Sequence, residues 1–260
     1  MHTVQSLGRA FGILRAVAHA QGAGARLKDL TVLTGLSQGT VFRLLTELQA
    51  QGMVRQHAHS RRYVLGSMVA ELGLTATAGG DYDFATLCRP SVARIAADTG
   101  DTAFVSKRSG MDLLCLDRRS GAHLFKIFTL DVGVRRPLGM GASGIALLLH
   151  LPESEALDIL RHNANFLCQA DAQGLQDAEH RWRQARQQGF VARDVPNVDV
   201  RSVAVPIRDR RGQPQACLSV SAARTRLGEQ RLAQVVGLLQ REAQRLEDIL
   251  QAQHDETALS

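Results

Sequence analysis

Residues suited to contacting DNA bases lie together at the start of one predicted helix. Its first turn carries Gln38, Gly39, Thr40 and Arg43, directly after Ser37. Gln pairs with adenine and Arg with guanine through two hydrogen bonds, each worth about 1 to 3 kcal/mol of discrimination, and Thr can contact a thymine methyl. In a helix-turn-helix, the first turn of the second helix lies in the major groove. We therefore predict that Ser37 and these four residues contact a double-stranded DNA operator.

The segments before this turn predict the helices that position it. Apolar residues recur at three- and four-residue spacing from Leu7, and a short second helix is predicted over 27–34, followed by a turn at Gly35. Ser37 is a preferred N-cap residue for the third helix. A helical bundle that contacts another protein is the alternative. The glycine turn, the serine cap and the basic face together favour a helix-turn-helix.

A hairpin wing is predicted after the third helix. Two short strands at 53–55 and 63–65 flank a polar turn that contains Arg61 and Arg62. These arginines are expected to contact the phosphate backbone or the minor groove, which makes binding salt-dependent. The two histidines of the turn are too few for a metal site.

The rest of the chain predicts a linker helix and an α+β domain. Apolar spacing indicates a helix over 67–77, and hairpin-like neighbouring strands predict an antiparallel sheet. Further helices are predicted at 84–98, 142–150, 153–162, 173–188 and from 228 towards 251, and strands at 102–107, 112–118, 124–130, 201–209 and 215–222.

A candidate ligand pocket is predicted on the second domain. Gly139, Gly141 and Gly144 follow GxGxxG order, but the strand and the acidic residue that a dinucleotide site needs are missing, which leaves backbone N–H groups facing a small anion. Ser219 and Ser221 share one strand face with Cys217. Ser202 on the neighbouring strand and Asp194 upstream can border the same cavity, although strand serines are also common on surfaces.

Composition separates a basic N-terminal third from a nearly neutral remainder. Of the net charge of +6, the first 80 residues supply +5, from eight basic and three acidic residues. This asymmetry favours a nucleic-acid-binding module, although a solvated basic face is the alternative. Four scattered cysteines argue against zinc and disulfides, and no apolar run could span a membrane. We expect a soluble cytoplasmic protein without cofactor, metal or catalytic residues.

Taken together, these patterns resemble the IclR family of bacterial transcription regulators over nearly the whole chain. The matching stretches are Ser6–Ala10, Leu36–Leu45, Arg62–Gly66, Arg136–Leu138, Gly141–Gly144, Gly189–Phe190, Arg201–Asp209 and Leu218–Ser221.

The resemblance implies a winged helix-turn-helix (1–66), a linker helix (67–82) used in dimerisation, a GAF-like effector domain (83–253) and a tail (254–260). It implies homodimers that often pair into homotetramers. In family members with known ligands, small organic acids lie between the glycine-rich loop and the strand serines. By analogy the effector pocket comprises Ala142, Ser143, Asp194, Ser202, Ser219 and Ser221.

The sequence also predicts the class and size of the ligand, and it leaves two alternative functions open. The wording of Arg201–Pro206 is closer to regulators of aromatic-acid catabolism, and Gly139 replaces a common family His, which predicts room for a bulkier ligand. The main rival is an enzyme or redox sensor that uses Cys217. The other is a DNA-binding protein without ligand control.

Overall fold

The computed structural model describes residues 5–20, 23–77, 81–170, 174–196 and 198–258. The chain divides into two compact units, Met1–Asp83 and Phe84–Ser260. The finer division into four segments stays a prediction.

The first unit contains three helices, a hairpin and a fourth helix. They are α1 (Gln5–His19), α2 (Leu27–Thr34), α3 (Gln38–Ala50), β1 (Val54–Gln56), β2 (Tyr63–Leu65) and α4 (Ser67–Thr77). Ile13, Leu30 and Leu45 are fully buried where the first three helices pack together. Gly35 ends α2 with a left-handed φ of 65° and so turns the chain into α3. The predicted winged helix-turn-helix is confirmed.

The second unit is built on one antiparallel sheet. Its elements are α5 (Asp81–Thr99), β3 (Thr102–Ser109), β4 (Asp112–Ser120), β5 (Arg135–Pro137), α6 (Gly141–Ala146), α7 (Glu153–His162), α8 (Ala164–Ala170), α9 (Gly174–Gln188), β6 (Val191–Asp194), β7 (Val200–Arg208), β8 (Pro214–Ala223) and α10 (Glu229–Ala258). The strand order is β5-β4-β3-β8-β7-β6, and every neighbouring pair is antiparallel. The predicted α+β class is confirmed.

The two faces of the sheet have separate cores because side chains alternate along each strand. Leu218 and Val220 of β8 pack with residues of α5 and α10 on one face. Cys217 belongs to the core on the opposite face, with residues of α6, α7 and α9. In that core, the fully buried Trp182 donates its indole N–H to the Leu148 carbonyl at 2.9 Å.

Several predicted elements differ from the structure. The strand predicted over 124–130 is wrong: that segment is irregular, and the edge of β4 pairs with β5 instead, Asp112 lying opposite Pro137. β5, β6 and α8 were not predicted from the sequence. The helix predicted to His150 ends at Ala146, and α10 runs past Gln251 to Ala258.

Candidate nucleic-acid interface and ligand cavity

The first turn of α3 is capped as its sequence predicts. The Ser37 Oγ accepts the Thr40 amide at 3.3 Å and lies 2.9 Å from the Thr40 hydroxyl. Gln38, Gly39 and Arg43 are exposed, whereas Thr40 is half-buried. The cap engages the half-buried Thr40 hydroxyl, and Gln38 and Arg43 are the exposed polar side chains of this turn.

One apolar side chain on α3, which was not predicted as part of the interface, is exposed. Phe42 is 56% exposed although it precedes Arg43 in an ordered helix. Gly39, Phe42 and Arg43 lie three and four residues apart, so they share one helix face. An aromatic ring on this face can contact a thymine methyl. The signal was present in the sequence, since Phe42 does not follow the apolar spacing of Val41 and Leu45.

The two arginines of the wing have different surroundings. Arg61 is exposed and has a left-handed φ of 56°. The half-buried Arg62 donates to the Gly24 carbonyl at 2.8 Å, beside the bridge between Ala25 and Tyr63. Arg62 therefore fastens the wing to the loop before α2, and Arg61 is the cation that the turn presents to solvent.

A cavity of about 540 Å³ lies on the face of the sheet that carries α6. The strands contribute its floor, and the irregular segment 127–130 contributes part of its wall. Five of the six predicted pocket residues line it: Ala142, Ser143, Ser202, Ser219 and Ser221. Its other lining residues are Phe104, Leu113, Ile127, Phe128, Thr129, Leu130, Arg136, Met140, Gly141, Arg193, Val195, Pro196, Val198 and Val200.

Serine hydroxyls line one end of this cavity, and those of Ser202, Ser219 and Ser221 are buried. Ser202 and Ser221 Oγ atoms lie 2.8 Å apart, and Thr129 Oγ1 lies 3.1 Å from Ser221 Oγ. Ser143 donates to Ser219 at 3.0 Å. Each hydroxyl has one donor and two acceptor sites, so the row retains capacity to hydrogen-bond a polar ligand group.

Asp194, the sixth predicted residue, does not line the cavity. Its neighbours in the chain, Arg193 and Val195, both do. Since side chains alternate along β6, Asp194 points to the other face. There its carboxylate accepts from the Arg201 Nε at 2.6 Å and Nη2 at 3.1 Å. This hydrogen-bonded guanidinium lowers the pKa of Asp194 below its usual value.

Two arginines line the cavity that sequence reasoning did not assign to it. Arg193 forms an ion pair with Asp177 at 3.3 Å. The Arg136 side chain makes no hydrogen bond or ion pair with any described residue. Burial removes part of the water around the Arg136 guanidinium and thereby lowers its pKa. Neither side chain could be placed without β5 and β6, the two short strands that were not predicted.

The glycines of the GxGxxG segment serve backbone geometry. Gly139 has φ +94°, and a Cβ there would lie 2.5 Å from a Leu160 methyl carbon. A Cβ on Gly144 would lie 3.1 Å from the Gly139 nitrogen. A Cβ on Gly139 would face Leu160 and Leu167, which do not line the cavity, so the extra room expected for a bulkier ligand stays a prediction. The six residues of α6 make only a small helix dipole, so the charge at the cavity comes mainly from arginine side chains.

The Cys217 thiol lacks the environment of a reactive group. Its side chain is fully buried, and burial raises its pKa to about 12. The thiolate is the nucleophile in cysteine chemistry, and this site suppresses it. Among the described residues, no group of three or more His, Cys, Asp or Glu side chains could hold a metal ion. Within the same residues, we find no helix with the length and apolar character to cross a membrane.

Known proteins resemble the chain over both units. Residues 6–58 match the model of the IclR helix-turn-helix domain, and residues 77–248 match that of the bacterial transcriptional regulator IclR C-terminal domain. The HTH-type transcriptional regulator XynR of Escherichia coli K12 is 27% identical over 235 residues, which cover 90% of this chain and 92% of XynR.

Solved structures share the fold. An IclR transcriptional regulator from Alicyclobacillus acidocaldarius superposes with a TM-score of 0.76 at 20% identity, covering 96% of this chain and all of that one. An IclR homolog from Microbacterium hydrocarbonoxydans, complexed with 4-hydroxybenzoate, gives 0.71 at 21% identity, covering 95% and 99%.

These matches account for the capped α3 helix, the wing and the antiparallel sheet, and the families and relatives are regulators, not enzymes. The chain belongs to the IclR family of bacterial transcriptional regulators.

Proposed function

We propose that this regulator binds a small organic acid in the 540 Å³ cavity and that the bound acid changes its affinity for a DNA operator. Aromatic acids are the favoured class. The observation that carries the proposal is the composition of the cavity wall, which combines apolar side chains with buried hydroxyls and two guanidinium groups. None of the described residues that line the cavity is acidic.

The size and chemistry of the cavity match a small amphipathic ligand. Binding sites for small molecules commonly have volumes of about 300–1,000 Å³ and place a few polar groups in a mainly apolar wall. Phe104 and Phe128 offer aromatic surfaces, and Phe128 is held by Arg118, whose guanidinium carbon lies 4.2 Å from the ring centroid. The 4-hydroxybenzoate bound by the Microbacterium relative has this combination of ring, hydroxyl and carboxylate.

For the DNA side, we propose that Gln38, Phe42 and Arg43 contact bases and that Arg61 contacts phosphate. Gln38, Arg43 and Arg61 are exposed, and the N-cap positions the first turn of α3. Ser37, Gly39 and Thr40 support the close approach of this turn, and Arg62 holds the wing in place.

We also propose that the regulator acts as a homodimer or homotetramer. A symmetric dimer can present two reading helices to half-sites about one helical turn, or a multiple, apart. Exposed apolar side chains on two helices of the first unit support this: Leu7 and Phe11 on α1, and Leu72 on α4, are each about half exposed.

The experiment measures DNA binding with and without acids. A fluorescent operator fragment, selected from random sequence with the purified full chain, is titrated at fixed salt alone and with each member of a panel of aliphatic and aromatic carboxylates. We expect at least one acid to change the operator dissociation constant about 5- to 150-fold. The reciprocal measurement must agree, since operator DNA has to change the affinity for that acid by the same factor.

Two variants check the residues. Arg43→Ala should weaken the selected operator more than random DNA, whereas equal losses would make Arg43 a phosphate contact. Ser219→Ala should weaken binding of the acid, and it should leave operator affinity unchanged when no acid is present. A wild-type chain that binds its operator but responds to no acid would contradict ligand control, and a chain that selects no sequence would contradict the assigned DNA contacts.

A further inference from the structure

The floor of the cavity is ordered from charged to apolar to hydroxyl-bearing across the sheet. Arg136 lies on the edge strand β5, Leu113 on β4 and Phe104 on β3. Ser219 follows on β8 and Ser202 on β7. Three strand spacings separate the backbones of Arg136 and Ser219, a distance of about 14 Å across the sheet. The cavity therefore has two chemically different ends with an apolar middle.

The cationic end results from the alternation of two neighbouring arginines on β5. Arg135 points away from the cavity and binds Asp112 at 3.2 Å and the Ser109 hydroxyl at 2.8 Å. Arg136 lies opposite Leu113 in the register and lines the cavity with it. One arginine of the pair is neutralised within the fold, and the other faces the cavity.

Among the described residues, no carboxylate forms an ion pair with Arg136. Asp131, the carboxylate that acts on it electrostatically, accepts a hydrogen bond from Arg118. Cys115 is the other nearby acidic group, and burial raises the pKa of its thiol to about 12, so it stays neutral. At the hydroxyl end the situation is reversed, because Arg193 is paired with Asp177.

We infer that the effector is a monoanion that binds with its carboxylate on Arg136, its apolar body over Leu113 and Phe104, and a neutral hydrogen-bonding group at the serine row. This inference rests on the proposed function and adds the orientation and charge of its ligand. A guanidinium binds a carboxylate through two parallel charge-assisted hydrogen bonds. A second carboxylate would lie at the hydroxyl end without a free counterion, so dianions of the same shape are disfavoured.

The test compares ligands that differ in charge on variants that differ at one end of the cavity. Isothermal titration calorimetry measures the dissociation constants of 4-hydroxybenzoate, its neutral amide 4-hydroxybenzamide and the dianion terephthalate. Each ligand is titrated into the full-length wild-type chain and into the variants Arg136→Met, Arg136→Lys and Arg193→Met. Met keeps length without charge, and Lys keeps charge without the planar fork. Thermal melts of each variant establish that it is folded.

We expect Arg136→Met to lower the affinity for 4-hydroxybenzoate about 10- to 100-fold, because this is the usual cost of losing a charge-assisted hydrogen-bonded pair. The amide should change by less than about threefold on the same substitution, since it carries no charge for Arg136 to neutralise. Arg136→Lys should restore part of the lost affinity, and terephthalate should bind the wild type more weakly than 4-hydroxybenzoate. The selective loss for the anion excludes a general distortion of the cavity, which would weaken the amide equally.

Other outcomes overturn the inference. If Arg136→Met retains 4-hydroxybenzoate affinity, Arg136 does not bind the carboxylate. If Arg193→Met alone loses that affinity, the carboxylate lies at the hydroxyl end. In both cases the proposed function still stands. Equal losses of acid and amide make Arg136 a structural residue. A wild type that binds neither probe refutes this orientation, and the proposed function is judged separately by its response to the wider acid panel.

Discussion

Replacing Asp194 with asparagine separates an ion-pairing role from an effector-binding role. The carboxylate accepts two hydrogen bonds from Arg201, and its neighbours Arg193 and Val195 face the cavity in its place. We expect Asp194→Asn to leave acid-effector affinity unchanged within about twofold, because the side chain does not touch the ligand. If Asp194 held the ligand through a charged hydrogen bond, the loss would be tenfold or more.

The effect on stability follows from the same contacts. The Asp194 side chain is 44% exposed and that of Arg201 is 24% exposed, so solvent screens the pair. A pair of this kind contributes about 0.5 to 1 kcal/mol, which corresponds to a melting temperature about 1 to 4 °C lower in a unit of this size. Calorimetric titration of the full chain measures the effector affinity of the variant, and thermal melts measure its melting temperature.

The stabilisation by the Asp194–Arg201 pair should depend on pH, and the direction follows from the pKa of Asp194. Arg201 lowers the folded-state pKa of Asp194, so the stabilisation is present above the unfolded-state pKa of about 3.9 and is lost as pH falls through the lower folded-state value. The difference in unfolding free energy between wild type and Asp194→Asn should therefore be constant from about pH 5 to 7 and shrink below about pH 4. A difference that grows on acidification would refute this reasoning.

Two control variants accompany Asp194→Asn, one expected to have no effect and one expected to lose effector affinity. Asp199→Asn removes a nearby pair with Arg224 whose side chains are both more than half exposed, and it should change neither stability nor affinity appreciably. Ser202→Ala alters a buried residue of the cavity wall and should weaken the effector. If Asp194→Asn matched Ser202→Ala in its loss of affinity, the placement of Asp194 away from the ligand would be wrong.

Three further substitutions or measurements test the local geometry. Ser37→Ala removes the cap on the Thr40 amide and should lower the free energy of unfolding by about 1 kcal/mol. Calorimetry should show a lower melting temperature, and operator binding should be weaker. Unchanged values would show that the cap is dispensable. Gly139→Ala places a methyl 2.5 Å from a Leu160 methyl carbon at φ +94° and should cost about 2 kcal/mol or more in urea unfolding, with equal stability contradicting this. Thiol labelling of the native chain at pH 8 should modify Cys168 alone, because the other three thiols are buried with pKa values raised to about 12; rapid labelling of a second thiol would be inconsistent.

Elements defined by local signals were predictable from the sequence. α2 has the predicted bounds, and α3 begins after Ser37, because apolar spacing, a glycine turn and an N-cap act within a few residues. β7 and β8 were also recognised to within one residue, since both are long and apolar. The serine row could be read from β8 alone, because alternation along a strand is a local property.

Short strands were not predictable in the same way. The segment 124–130 has the apolar character of a strand, but β4 pairs with β5, which has only three residues. Which of the two segments pairs with β4 depends on how the chain folds back to the sheet edge, and that is decided by long-range contacts. Asp194 was assigned to the pocket for the same reason: its face on β6 depends on a strand that the sequence pattern did not reveal.

The sequence by itself determined the family, the helix-turn-helix with its Ser37 cap, and the hydroxyl-bearing strand face, because each follows from local periodicity or from motif resemblance. The tertiary structure alone decided which charged groups meet the ligand cavity. Arg135 and Arg136 are identical in type and adjacent in the chain, yet one binds Asp112 and the other lines the cavity. That difference arises from the antiparallel register of β5 on β4, a long-range pairing that no local pattern encodes.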